Sequence, residues 1–209
     1  MTVAYGVAVV GTSWGGLAAL RELVSCLPLD LMIPVVLVQH RHKQSDHMLQ
    51  SLLQDKTSLA VCEVEDKTPI ELGKVFVAPA NYHLLIELDS FALSVDDPIH
   101  HARPSIDLTF SSAADYFGAR TIGVVLTGAN ADGALGLRRI ADRGGLALIQ
   151  EPATAESPAM PAAALRAVPS ARVMTVGAIG AYIGELSRDR ATATRAPRAV
   201  NGRPPEASA

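Results

Sequence analysis

The sequence has little cysteine. Its two thiols, Cys26 and Cys62, sit inside apolar patterns and lack metal-ligand spacing. That argues against a disulfide framework or a cysteine metal site, and free, buried thiols are expected. It also lacks an excess of positive charge: 18 Lys and Arg stand against 21 Asp and Glu, for a net charge of -3. A general nucleic-acid binder needs basic residues clustered on one face, so that class is disfavoured. The N-terminus has no basic segment followed by a long apolar run, hence no sign of a signal peptide or membrane span, and a cytoplasmic location is expected. There is no internal repeat. What the chain does have is 209 residues of which 49% are hydrophobic, enough for one domain with a full-sized core.

The order of patterns indicates the fold class. A near-continuous apolar run from Val3 to Val10 fits a strand buried on both faces of a parallel sheet. Leu17, Leu20, Leu23, Val24 and Leu27 then recur at helical spacing until Pro28. A second buried strand, Ile33 to Val38, ends at Gln39-His40, and Ser45 can cap a helix carrying Met48, Leu49, Leu52 and Leu53. This rhythm predicts an α/β, doubly wound, mainly parallel sheet with helices on both faces. Short strands at Ala60 to Val64, Lys74 to Ala78, Tyr82 to Glu87 and Phe91 to Val95 predict an antiparallel excursion in the middle of the chain. The α/β rhythm resumes with a helix through Ile106, Phe110 and Ala113 and the strand "TIGVVLTG" (Thr121 to Gly128). A helix from about Ala134 to Asp142, a strand from Leu146 to Gln150, and helices over Pro161 to Ala167 and Ile179 to Leu186 complete it. Residues 1–187 are thus expected to form the domain. Residues 188–209 hold almost no large apolar residue, and their arginines outnumber Asp189 and Glu206, so a mobile basic tail is expected.

The stretch Gly11-Thr12-Ser13-Trp14-Gly15 fits G-x-S-x-G at a strand-to-helix turn, where hydrolases place a nucleophilic serine. Such a turn also suits phosphate binding or close helix–sheet packing. A serine nucleophile needs a base, and the base needs a carboxylate to orient it. In an open α/β sheet, functional groups gather outside the carboxyl ends of the strands. Ser13, His40 and Asp132 all follow strands in this way. Of the remaining histidines, His42 and His47 lie deeper in a loop and helix, His83 falls within a strand, and His100 and His101 precede Arg103-Pro104 in a loop. Taken alone, His40 reads as a hydrogen-bonded structural residue and Asp132 as the N-cap of the Ala134 helix; their coincidence at one sheet edge favours a site. The start of the first helix would point N–H groups at an oxyanion.

Two rival patterns fit less well. An ordinary α/β-hydrolase runs Ser, acid, His along the chain and places its elbow after several strands, whereas here one strand precedes Ser13 and Asp132 lies beyond every histidine. A dinucleotide site wants G-x-G-x-x-G and an acid at the end of the second strand; this chain has Ser13 at the middle glycine's place and Gln39-His40 at that end.

The segments "GTSWGGLAAL", "VVLVQH", "VFVAPANYHL", "RPSIDLTFSSAA", "GVVLTGANADGALGLRRI" and "EPATAESPAMPAAAL", in that order, resemble the catalytic domain of the chemotaxis protein-glutamate methylesterases, the CheB family. The resemblance extends from about Val7 to Ile183. It implies hydrolysis of γ-glutamyl methyl esters on cytoplasmic helices of methylated chemoreceptors, and in some members deamidation of receptor glutamines. The implied triad is Ser13, His40 and Asp132, with no metal or organic cofactor and with backbone amides near Trp14 and Ala129 holding the oxyanion. Signalling-array proteins are implied as further partners, with no nucleic acid and no membrane insertion.

The sequence departs from the family's motifs at two places. Trp14 stands where well-known members have threonine, so it could wall the pocket, form a docking surface or simply pack. "ANAD" (Ala129 to Asp132) replaces "MGND", which alters the entrance and keeps the aspartate. Well-known members carry a receiver ahead of the catalytic domain, whereas this sequence opens at the first strand of that domain, so a stand-alone form is expected. The expected function is that of a serine carboxylesterase. The other readings are a non-catalytic adaptor of a chemosensory array and a receptor glutamine deamidase.

Overall fold

The computed structural model describes residues 4–41, 48–87, 89–99 and 102–195, and of residues 189–195 the backbone alone. Its first unit is strand β1 (Val7–Thr12), buried throughout, and helix α1 (Gly16–Ser25). Strand β2 (Val35–Gln39) and helix α2 (Met48–Gln54) repeat the pattern. Strands β3 (Ala60–Glu63) and β4 (Lys74–Val77) follow, then the hairpin β5 (His83–Ile86) and β6 (Phe91–Ser94). The second half alternates again: α3 (Ile106–Phe117), β7 (Thr121–Val125), α4 (Ala134–Asp142), β8 (Leu146–Gln150), α5 (Ala159–Ala167), β9 (Arg172–Met174) and α6 (Val176–Arg195).

The main sheet has seven strands in the order β3-β4-β2-β1-β7-β8-β9, and every pairing in it is parallel. Alternation along each strand divides the core. Ala8, Val10, Val35, Leu37, Ile122 and Val124 point into one layer with Leu20 and Leu23 of α1, Leu53 of α2 and Ile179 and Ile183 of α6. Val7, Val9, Val36, Val38 and Val125 point into the other with Ile106 and Phe110 of α3, Leu137 and Ile140 of α4 and Met160 of α5. Each fully buried Val, Leu, Ile or Phe contributes about 1.5–3 kcal/mol relative to exposure, which explains why central strands read as apolar runs rather than alternations. The chain leaves β1 toward β2 on one side, and β7 pairs with β1 on the other. The two flanks of the sheet therefore part at the carboxyl end of β1, the place where open α/β sheets form crevices.

The expected antiparallel excursion is present but smaller than the sequence suggests. β3 and β4 join the main sheet in parallel, and only β5 and β6 form a separate antiparallel pair. That hairpin is fastened to α3, where Thr109 Oγ1 donates to Leu84 O at 2.7 Å and Ile86 N donates to Ser112 Oγ at 3.0 Å. β9 was not expected; it is a short edge strand, mostly exposed, with little apolar signal. The last helix is longer than its apolar pattern, starting at Val176 and continuing to Arg195 into the segment expected as tail. The first strand starts at Val7 rather than Val3, residues 1–3 lying outside the described part, as do Ser45 and the rest of the expected tail. Cys26 and Cys62 are free, and both are half-buried rather than buried.

Helices α3 and α4 approach closely because Gly136 has no side chain. A Cβ there would lie 2.5 Å from Phe110 Cβ and 3.0 Å from Asp107 O. Intrinsic propensity alone would make Gly136→Ala stabilising by about 1 kcal/mol. Overpacking outweighs it, and we expect a net loss of about 1–2 kcal/mol in urea unfolding. A midpoint at or above wild type would show that the helices can part without cost.

Candidate active site

The turn after β1 is built for a tight bend. Gly15 has φ 76° and ψ 1°, a left-handed conformation costly for residues with a Cβ, and a Cβ there would also meet Glu156 Cβ at 2.7 Å. Thr127, just beyond β7, ties the turn down. Its carbonyl accepts from Ser13 N at 3.0 Å and from Thr12 Oγ1 at 2.8 Å, and its hydroxyl donates to Trp14 O at 2.9 Å. Thr127 is itself held by Gln150 Oε1, which accepts from its N–H at 2.8 Å, and by Ser157 N, which donates to its hydroxyl at 2.9 Å. Among the described residues no acceptor takes the N–H of Trp14 or of Ala129.

Register brings the histidine alongside. Thr12 pairs with Gln39 across β1 and β2, so Ser13 and His40 are the next residues on neighbouring strands, and His40 N donates to Thr12 O at 3.1 Å. Ser13 and His40 line one cavity of about 480 Å³, whose walls include Trp14, Gln39 and Glu156. Trp14 is 66% exposed, so it does not pack in the core; it stands at the cavity's rim.

From the far side comes Asp132, whose side chain is fully buried and whose Oδ2 lies 2.8 Å from His40 Nε2. The carboxylate also receives Ile106 N at 2.7 Å, Asp107 N at 2.9 Å, Gly133 N at 3.0 Å and Ser105 Oγ at 3.2 Å. These donors are mainly the start of α3, the positive end of a helix dipole. Asp132 is therefore not the N-cap of α4: that position belongs to Gly133, and the helix Asp132 caps is the one before it. Burial pushes the Asp132 carboxyl up, but the His40 hydrogen bond and the N–H groups of Asp107 and Ile106 outweigh burial and hold it below its ordinary value. Ser105, the N-cap of α3, is fixed in turn by His83, whose buried Nδ1 accepts Ser105 N at 3.1 Å while Nε2 lies 3.2 Å from Asp97 O.

Of the residues expected from the sequence, Ser13, His40 and Trp14 line one cavity, Asp132 is paired with His40, and Ala129 lies on the loop that carries Asp132. His83 serves α3 and lies outside the cavity, whereas His42, His47, His100 and His101 lie outside the described residues. Sequence reasoning missed Asn130, Asp107 and Glu156. Asn130 stands in the quoted "ANAD", two residues before Asp132, and Nδ2 of its amide is 3.2 Å from His40 Nδ1. Glu156 is distant in sequence from the serine turn and stands inside the quoted "EPATAESPAM". Asp107, inside the quoted "RPSIDLTF", accepts Gly136 N at 2.7 Å and Gly133 N at 2.9 Å, joining α3 to the Asp132 loop.

Burial beside Asp132 raises the Asp107 carboxyl to about 6, against the lowering effect of the Gly136 and Gly133 N–H groups. A raised folded-state value means that folded protein holds a proton the unfolded chain has released, so this group adds stability as pH falls through 6 toward 4. Asp132, held low, works in the opposite sense: its contribution is present above the ordinary carboxylate value and is lost only in stronger acid. Asp107→Asn keeps an acceptor for both glycine N–H groups and removes the charge. Compared with wild type, we expect its melting temperature to be flatter between pH 8 and 5. The gap should close by a few degrees as pH falls, since about 1 kcal/mol corresponds to roughly 2–4 °C in a chain of this size and partial exposure weakens the effect. Parallel pH profiles for the two proteins would overturn the coupling of Asp107 to stability.

Comparison with known proteins identifies the family. The CheB methylesterase family profile matches residues 8–183. A Leptospira interrogans protein described as a protein-glutamate methylesterase/protein-glutamine glutaminase is 43% identical over 164 residues, covering 78% of this chain and 85% of its own. A Carboxydothermus hydrogenoformans protein of the same description is 36% identical over 181 residues, 84% of this chain and 53% of its own. The catalytic domain of Thermotoga maritima CheB methylesterase superposes with a TM-score of 0.84 at 29% identity, covering 88% of this chain and all of that domain. With the profile spanning most of the sheet and every strand end that builds the site, the chain belongs to the CheB methylesterase family.

Proposed function

We propose that this protein is a serine carboxylesterase that hydrolyses γ-glutamyl methyl esters on the cytoplasmic helices of methylated chemoreceptors, releasing methanol and leaving a glutamate carboxylate. The observation that carries the proposal is the 2.8 Å His40–Asp132 pair, together with the single cavity that His40 and Ser13 line. Ser13 Oγ attacks the ester carbonyl while His40 takes its proton, and Asp132 steadies the imidazolium that results. His40 then returns the proton to the departing methoxide, giving methanol and an acyl-enzyme. Water, deprotonated by the same imidazole, cleaves the acyl-enzyme to the carboxylate and restores Ser13. The N–H groups of Trp14 and Ala129 have no protein acceptor among the described residues and are assigned to the tetrahedral oxyanion.

The names of the relatives add a second reading on the same groups, since they couple the esterase with a protein-glutamine glutaminase. Attack on a glutamine amide differs only in the leaving group: His40 protonates the nitrogen, and ammonia departs in place of methanol. A cytoplasmic setting goes with the proposed substrate; no helix among the described residues is long and apolar enough to cross a membrane.

Incubation with a methyl-esterified receptor helical fragment, counting methanol, tests the reading. Ser13→Ala should fold normally and lose turnover by at least roughly 10³-fold, and Asp132→Asn should lose roughly 10⁴-fold, as in other serine triads. Full-rate methanol release by folded Ser13→Ala would overturn the nucleophile assignment. Receptor binding without release above that control would leave the adaptor reading. Trp14→Ala separates the roles of the rim. A loss confined to receptor esters places the indole on the receptor helix, whereas an equal loss on small aryl esters places it in the pocket.

A further inference from the structure

His40 uses both of its ring nitrogens. Nε2 faces Asp132 Oδ2 at 2.8 Å, and Nδ1 faces Asn130 Nδ2 at 3.2 Å. The orientation of that amide is determined by its other end, because Asn130 Oδ1 accepts from Asp132 N at 3.1 Å, leaving the NH₂ group toward the ring. An amide NH₂ donates and does not accept, so Nδ1 holds a lone pair and Nε2 carries the hydrogen given to the carboxylate. Nδ1 is then the nitrogen left to serve as base. In this arrangement its lone pair is already taken, and Ser13 Oγ has no hydrogen bond to any described residue.

We infer that Asn130 is a positioning residue of the His40 base: its amide selects the tautomer and occupies the Nδ1 lone pair at rest, and must yield it to the Ser13 hydroxyl when substrate binds. This rests on the esterase reading for its place in the reaction, though the amide–imidazole bond itself does not. Proton bookkeeping requires the exchange. When the Ser13 Oγ–H proton moves to Nδ1, the Nδ1 lone pair becomes an N–H bond while Nε2–H stays on Asp132. The imidazolium has no lone pair left, so the Asn130 N–H must have turned away beforehand. A donor on Nδ1 pairs with the neutral ring and not with the charged one. The family motif "MGND" has glycine at this place and its asparagine one residue later, where this chain has Ala131. The amide has in effect moved to the position from which it meets the ring.

The titratable groups around His40 among the described residues are Asp132, with Asp107 behind it, and Glu156 on the wall of the same cavity; the guanidinium of Arg41, next in the chain, is bonded to Glu63 and the Ala78 carbonyl. None of them is changed by substitution at Asn130. Two variants then separate a lone-pair effect from a brace. Asn130→Ala removes the donor. Asn130→Asp keeps an oxygen to accept Asp132 N–H but turns a carboxylate oxygen toward Nδ1, favouring the imidazolium.

In ¹⁵N-histidine-labelled protein, with His40 assigned by its loss in His40→Gln, wild type should show a single tautomer with a hydrogen-bonded, pyridine-type Nδ1. The His40 titration midpoint should move to higher pH by about 0.5–1 unit in Asn130→Ala, the equivalent of one neutral hydrogen bond, and further in Asn130→Asp. The acid limb of kcat/KM for a small aryl ester should move with it. An unmoved midpoint in both folded variants would overturn the inference. So would a uniform loss of kcat/KM at every pH with no shift of the limb, the signature of a structural brace. Because the spectrum is read without substrate, a moved midpoint in a protein that turns over no ester would sink the esterase reading and leave the tautomer assignment standing. Normal turnover with unmoved midpoints would do the reverse.

Discussion

The site depends on the burial of one carboxylate. Asp132 has no exposed side-chain surface and stays charged only because the start of α3, the Ser105 hydroxyl and the His40 ring surround it with donors. An isolated buried carboxylate would cost several kcal/mol, so each donor is obligatory and its position is fixed by that need. Much of the architecture can be understood as supplying them. The α3–α4 contact at Gly136 brings the start of α3 to the β7 loop. Asp107 links that helix to Gly133 and Gly136, and His83 in the outlying hairpin holds the cap of α3. The hairpin lies outside the Ser13–His40 cavity yet sits two hydrogen bonds from the Asp132 carboxylate.

The serine side is organised differently. Ser13 Oγ has no hydrogen-bond partner among the described residues; the residue is placed by the parallel register of β1 with β2 and by Thr127, which grips the turn through its carbonyl and hydroxyl. One half of the site is thus set by electrostatics and the other by backbone geometry, and His40, with Nε2 on Asp132 and its main chain on Thr12, joins them.

This division explains what could be read in the sequence. The central strands were legible because burial on both faces gives uninterrupted apolar runs, and the strand-end rule then singled out Ser13, His40 and Asp132 without any contact being known. The edge was not: β9 is mostly exposed and three residues long, with no burial to enforce a pattern, and β3 and β4 resemble hairpin strands because short apolar segments carry no mark of parallel or antiparallel pairing. Asp132 looked like a cap for α4 because local spacing shows only the nearest helix, while its partner is one that precedes it by 26 residues. Glu156 and Gln150 reach the serine turn through tertiary contact alone. Asn130 was visible as a departure from the family motif, but its meaning required knowing which end of the amide met which ring nitrogen.

The strand order has a consequence for how this protein fluctuates. Ser13, His40 and Asp132 follow β1, β2 and β7, the adjacent central strands of the sheet, whereas the least protected elements are the outer ones, β3 and β9. Opening an edge leaves the register of β2, β1 and β7 in place, and separating β1 from either neighbour breaks both core layers at once. The free energy of local opening at Ser13, His40 and Asp132 therefore approaches that of global unfolding. Movement at the cavity is left to side chains on its wall, such as Trp14 and Glu156, over a central frame that opens only with the whole fold.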